Sequence, residues 1–86
     1  MTIYDKVFVI KDILDSNTKR RCSDIERRIG KTGSFITLGE SIPFTFLFSN
    51  RAYFMSSPVY RIDDLGEAII VRTQNKTYLF REVKDV

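Results

Sequence analysis

Pro43-Phe44-Thr45-Phe46-Leu47-Phe48 is the most legible stretch of the chain. Side chains of an extended strand leave alternately to opposite faces, so Phe44, Phe46 and Phe48 share one face and Thr45 and Leu47 the other. Three rings in a row on one side require an apolar interior to receive them. Pro43 has no N–H to give to a sheet ladder, which places it at the start of the strand or on an edge.

The same alternation extends outward in both directions. Phe35 to Leu38 reads as one strand, and Ala52 to Ile62 as one or two strands broken near Ser56-Ser57-Pro58. Asp63-Asp64-Leu65-Gly66 has the residues of a hairpin turn. Ala68 to Thr73 follows as a strand with Ile69 and Val71 opposite Ile70. Gln74-Asn75 turns the chain into a last strand, Lys76 to Glu82, in which Tyr78 and Phe80 share a face. Toward the N-terminus, Tyr4 to Ile13 contains Val7-Phe8-Val9-Ile10, a β-branched and aromatic run that predicts a strand buried on both faces. Leu14 to Lys19 is polar and predicts a loop, with Asp15-Ser16-Asn17 as its turn.

Cys22 to Gly33 is open to two readings. Ser23-Asp24-Ile25-Glu26 fits a helix capping box, with Ile25 and Ile29 four apart. Gly30 would stop that helix after barely two turns, too short to persist without strong packing. The segment is therefore read as a strand ending at Ile29, with the short helix as the alternative. Together these segments predict a mostly β fold, a small barrel or curled antiparallel sheet of about six short strands with little helix. Residues 1–86 are expected to form a single β-rich domain.

Composition narrows the function classes. The chain has 86 residues, 43% hydrophobic, with seven Phe, four Tyr and no Trp, and a net charge of +3. That is enough apolar material for a core and too little net charge for a disordered chain. There is no histidine and only one cysteine, Cys22. Ser-His and Cys-His nucleophilic sites, most His-ligated metals and an internal disulfide are thereby excluded. The expectation is a protein that is not an enzyme and uses no cofactor or metal. A lone cysteine suits the reducing cytoplasm. No apolar run approaches the length of a membrane helix, and the first residues lack the basic start and apolar stretch of a signal peptide.

Ser56-Ser57-Pro58-Val59, then Ile62, a turn, a strand and Thr73-Gln74-Asn75-Lys76-Thr77-Tyr78 resemble a "TSPV…I…(turn)…V.T.NS.Y" layout found in short uncharacterised proteins of phages and prophages, mainly from Gram-positive bacteria. Arg28-Ile29-Gly30-Lys31-Thr32-Gly33 is similar to the "IGR.G" step of the same proteins. The likeness spans Ile25 to Phe80. Ser56 stands where the layout has Thr, and Lys76-Thr77 where it has Ser. The resemblance implies a phage or mobile-element setting and a small β-domain. Small phage proteins often block host defence by covering a host protein or by sequestering a nucleotide signal. The resemblance assigns no residue a role.

Four groups of residues are candidates for binding. Lys19, Arg20, Arg21, Arg27, Arg28 and Lys31 put six of the 14 cationic residues into 13 positions. Such a cluster suits phosphates, or else protects a solvated edge strand. Asp24 and Glu26 lie within it and partly offset it. Gly30-Lys31-Thr32-Gly33 has two glycines three apart, as in an amide nest for an anion or in a hairpin turn with positive φ at glycine. Tyr53, Phe54 and Tyr60 interleave with Arg51 and Arg61, as base-stacking rings and cations do, or as ordinary cross-strand packing does. Asn75 between Thr73 and Thr77 could read a base, and more often supplies a left-handed turn residue.

The expected ligand-binding residues are Arg20, Arg21, Arg27, Arg28, Lys31, Tyr53, Tyr60 and Arg61. The expected partner is an anionic small molecule or nucleotide. The alternatives are a host or phage protein docked on a sheet edge or aromatic face, and a nucleic acid on a small barrel. A homo-oligomer is a further expectation, since a second copy is one way to cover an open edge.

Overall fold

The computed structural model describes residues 3–20 and 28–84. After a single 3-10 turn, Ile3–Asp5, come six strands: β1 (Phe8–Asp15), β2 (Thr32–Thr37), β3 (Pro43–Phe48), β4 (Tyr53–Asp64), β5 (Ala68–Thr73) and β6 (Lys76–Glu82). Each strand pairs antiparallel with the next, and β6 closes back on β1, giving a six-stranded closed barrel. No helix of the described residues is long and apolar enough to cross a membrane.

The interior is aromatic. Phe8, Phe35, Phe44, Phe46, Phe48, Phe54, Tyr78 and Phe80 are buried with Ile10, Ile13, Val59, Ile69 and Val71 in one cluster. The rings meet mostly edge to face, as between Phe35 and Phe80 (4.7 Å) and between Phe44 and Tyr78 (4.9 Å). This arrangement sets the positive edge of one ring against the negative face of another. Phe44, Phe46 and Phe48 all point inward, as their spacing predicts, and so do Tyr78 and Phe80.

Bulges make this closure possible. The β1–β6 register shifts between Ile10 and Asp12, and the β4–β5 register shifts between Val59 and Arg61. An extra residue in one strand bends it, increases its twist and resets which side chains face in. In β1 the inward set is Phe8, Ile10 and Ile13, while Val7 is exposed and Val9 half-buried. The expectation of burial on both faces is corrected: one face of β1 is covered, because the barrel has a single interior.

Several boundaries also differ from the sequence reading. Leu14 and Asp15 continue β1, because β6 is long enough to pair with them. Ser56-Ser57-Pro58 does not break β4. Pro58 sits opposite Pro43, so neither residue asks the other for an N–H, and the Ser56 hydroxyl accepts the Phe44 amide at 3.0 Å. Asp63 and Asp64 belong to β4, opposite Ile70 and Ile69, and the turn falls on Leu65 to Glu67. Gly66 there has φ +89° and its amide donates to Asp64 Oδ1. Asn75 has no positive φ, and its carbonyl accepts the Ser16 amide. Of the stretch read as a strand ending at Ile29, residues 21–27 lie outside the described part, and Arg28, Ile29 and Gly30 form a turn.

Gly33 lies inside β2 without a positive φ, where a hairpin turn is the sequence expectation. A Cβ at this position would stand 2.2 Å from the Leu47 carbonyl oxygen and 2.8 Å from the Phe46 ring. Glycine is needed there for close approach of β2 to β3, and Gly30 alone of the pair supplies the left-handed turn, with φ +89°.

Candidate functional site

The β2–β3 approach brings a basic turn onto the open rim of the barrel. Gly33 pairs with Phe48, and the Ser49 amide donates to the Thr32 carbonyl at 3.0 Å. The Gly30 amide donates to Ile10 and the Ile10 amide to Lys31, which anchors the turn to β1. Residues 28–32 are thus held against the β3–β4 turn from a distant part of the sequence.

Phe48 and Phe54 form the aromatic floor under this turn. Their rings stack at 5.6 Å, and they are 8% and 9% exposed. The Arg28 guanidinium lies 5.0 Å from the Phe54 ring centre and the Lys31 ammonium 5.8 Å from that of Phe48. Both distances lie within the range of cation–π attraction. Beside them is a cavity of about 280 Å³, lined by Gly30, Lys31, Thr32, Phe48, Ser49 and Asn50. Among the described residues the lining contains no carboxylate.

The polar groups of this cavity are well held. Thr32 and Ser49 hydroxyls are 2.8 Å apart, and Ser49 Oγ donates to the Thr32 carbonyl at 3.2 Å. Asn50 Oδ1 accepts the Ala52 amide at 3.0 Å, leaving the Asn50 NH2 as a donor. Arg51 takes the left-handed conformation of the turn, φ +73°, and its amide donates to Phe48.

Of the eight expected site residues, Lys31 lines the cavity, and Arg28 sits on the Phe54 ring that stacks on Phe48 without lining it. Arg20 is exposed at the close of the turn after β1, where its carbonyl accepts the Asp15 amide at 2.8 Å. Arg21 and Arg27 lie outside the described residues. Tyr53 and Tyr60 are exposed on the outer surface of β4, and neither lines the cavity. Arg61 is likewise absent from it, and its guanidinium is paired with Asp63 at 3.2 Å, beside a second pairing of Asp63 with Arg72. Partial desolvation pushes the Asp63 carboxyl up, and the bonds and charges of Arg72 and Arg61 together outweigh it, so its pKa lies below the ordinary value. The interleaved Tyr/Arg group of β4 is thus not one site.

Phe48, Ser49 and Asn50 are site residues that the sequence does not single out. Ser49-Asn50 sits between two strands and reads as turn material, and only the β2–β3 register places it against Thr32. Thr73, one of the residues beside Asn75, is buried, and its hydroxyl bonds the carbonyl and the amide of Lys76, a structural use within the β5–β6 turn.

A second cavity of about 310 Å³ lies against the outside of β5 and β6, lined by Lys11, Leu65, Glu67, Ala68, Leu79, Phe80 and Arg81. It contains the Glu67 carboxylate, which is engaged by Lys84. The Lys84 hydrogen bond and charge lower the Glu67 pKa, so this carboxylate stays ionised and disfavours a bound anion. Comparison with models of protein families, with curated proteins and with solved structures finds no match to this chain.

Proposed function

We propose that this chain is a small binding protein for an anionic ligand such as a nucleotide, held at the barrel rim between the residue 28–32 turn and the β3–β4 turn. One observation carries the reading: Lys31 lines a cavity that has no carboxylate among its described residues, and both Lys31 and Arg28 sit on adjacent, stacked aromatic rings. A ring steadies a cation through its quadrupole and adds no countercharge, so the field of Arg28 and Lys31 remains available to a ligand. The role is to hold the ligand and not to convert it. In the phage or mobile-element setting that the resemblance implies, holding a nucleotide in the host cytoplasm would withdraw a defence signal.

A thermal-melt scan against cyclic dinucleotides, ADP-ribose derivatives, mononucleotides and short oligonucleotides tests the proposal. A ligand at about 100 times its dissociation constant adds roughly 2.7 kcal/mol. For a domain of this size that is a rise of about 10 °C or more. The double substitution Arg28→Ala with Lys31→Ala is expected to abolish the rise while the protein still melts cooperatively, since an exposed cation–π contact contributes only about 0.5–1 kcal/mol. A flat panel across all anions would sink the proposal.

A second reading has its own observation. Ile36, Leu47, Tyr53 and Met55 are exposed on the outside of β2, β3 and β4, where Leu47 pairs with Tyr53 and Thr45 with Met55. Exposed apolar side chains grouped on neighbouring strands suit docking of a protein. A flat ligand panel combined with capture of a host protein that is lost in Tyr53→Asp would favour this role.

A further inference from the structure

Resting on the binding reading above, we infer that the rim site recognises a terminal phosphate monoester and is indifferent to the base or sugar that carries it. Base-selective sites stack the base on a free ring face and match its edge with both donors and acceptors. Among the described residues of this cavity no ring face is free, and the side-chain hydrogens left uncommitted are those of an ammonium and an amide.

The rings are already used. Phe48 stacks on Phe54, meets Phe46 edge to face at 5.5 Å and carries the Lys31 ammonium. Phe54 meets Phe44 edge to face at 5.4 Å and carries the Arg28 guanidinium. With less than a tenth of either residue exposed, a base has no face to lie on. Tyr53 and Tyr60, the rings with free area on the same strand, are outside the cavity.

The polar chemistry is one-sided as well. The Thr32 and Ser49 hydroxyls are bonded to each other, and Ser49 Oγ also lies within bonding distance of the Thr32 carbonyl. The side-chain donors left over are the Lys31 ammonium and the Asn50 NH2, while the Asn50 carbonyl oxygen is taken by Ala52. A site with such donors, and with no carboxylate among its described residues, complements a group made of acceptor oxygens. A phosphate monoester is such a group, and at neutral pH it carries about −1.5 to −2 charges against the single charge of a diester. Lys31 in the cavity wall, with Arg28 on the adjoining ring, favours the doubly charged form.

The experiment compares apparent affinities of the full chain for AMP, GMP, CMP, UMP, inorganic phosphate, adenosine and 3′,5′-cyclic AMP, read by amide chemical shifts in NMR titration. The four nucleoside monophosphates are expected to bind within about threefold of one another, and inorganic phosphate to displace them. Adenosine should leave the residue 30–32 and 48–50 resonances unmoved, and cyclic AMP should bind at least tenfold more weakly than AMP. Affinity for AMP should climb as the pH passes about 6, where the monoester gains its second charge. Lys31→Gln should weaken all four monophosphates by one common factor. Two results would overturn the inference alone: a preference above tenfold for one base, or binding of adenosine comparable to AMP. Failure of every phosphate to bind would overturn both this inference and the binding reading on which it stands.

Discussion

Asp63 and the barrel rim each gather two cations, and they do so in opposite ways. At Asp63, Arg61 and Arg72 direct their hydrogens at one carboxylate, which spends much of their field on a partner within the same sheet. At the rim, Arg28 and Lys31 rest on Phe54 and Phe48, whose rings carry no net charge. The first arrangement fixes the β4–β5 pair, and the second fixes the cations while leaving their charge directed outward. A count of basic residues along the chain treats the two as equal. What separates them is the chemistry of the surface on which each cation sits.

Gly33→Ala is expected to have the largest effect, because it undoes the rim at its base. The new Cβ would collide with the Leu47 carbonyl and the Phe46 ring, both fixed by the β2–β3 pairing. A loss of about 3 kcal/mol or more is expected, at the top of the range for overpacking. That is a fall in melting temperature of at least about 12 °C. A fall of less than about 4 °C, with ligand binding intact, would show that β2 can move away from β3 without loss, and that the rim geometry does not depend on their close approach.

Phe54→Leu comes next and separates the ring from its volume. Stability should drop by roughly 1–2 kcal/mol, as for a moderate core change. Affinity for a phosphate probe should fall further than stability predicts at saturating folded protein, because Arg28 loses the face that positions it. Calorimetric titration of the variant checks this. Unchanged affinity would mean that the ring is only core.

Asp63→Asn gives the smallest change and should not touch the rim. The folded-state pKa of Asp63 is depressed, so its contribution is present above the unfolded value and disappears as pH falls through the folded value. The variant should therefore melt below the wild type at pH 6, and the gap should close below about pH 3, near and under the ordinary carboxylate range. Melting curves from pH 2 to 7 test this, and phosphate affinity at pH 7 should be the same in both proteins. A gap that persists at pH 2 would assign the effect to packing instead of charge.

How much of this was legible beforehand varies residue by residue. Phe44, Phe46 and Phe48 disclosed both their strand and their inward face, because alternation over six residues without a bulge is unambiguous. Ile69, Val71, Tyr78 and Phe80 did the same for β5 and β6. Tyr60 was not legible in that way. It stands six residues from Phe54, so simple alternation puts both on one face. The register shift against β3, where Met55 to Pro58 spans one residue more than Thr45 to Pro43, turns Val59 inward and Tyr60 out. Arg28 and Lys31 were visible as part of a basic cluster, but nothing nearby in sequence indicated the rings that would seat them.

The sequence by itself determined a histidine-free, strand-rich chain with an aromatic interior, because residue type and period-two spacing are local properties. It also determined that cations would crowd the approach to β2. Only the tertiary structure decided that the sheet closes between β1 and β6, that Gly33 admits β3 at contact distance, and that Ser49 and Asn50 join Lys31 and Thr32 around one cavity. Those outcomes depend on register between strands far apart in sequence and on bulges that reverse the facing of side chains. Neither is written in the order of residues along any single strand.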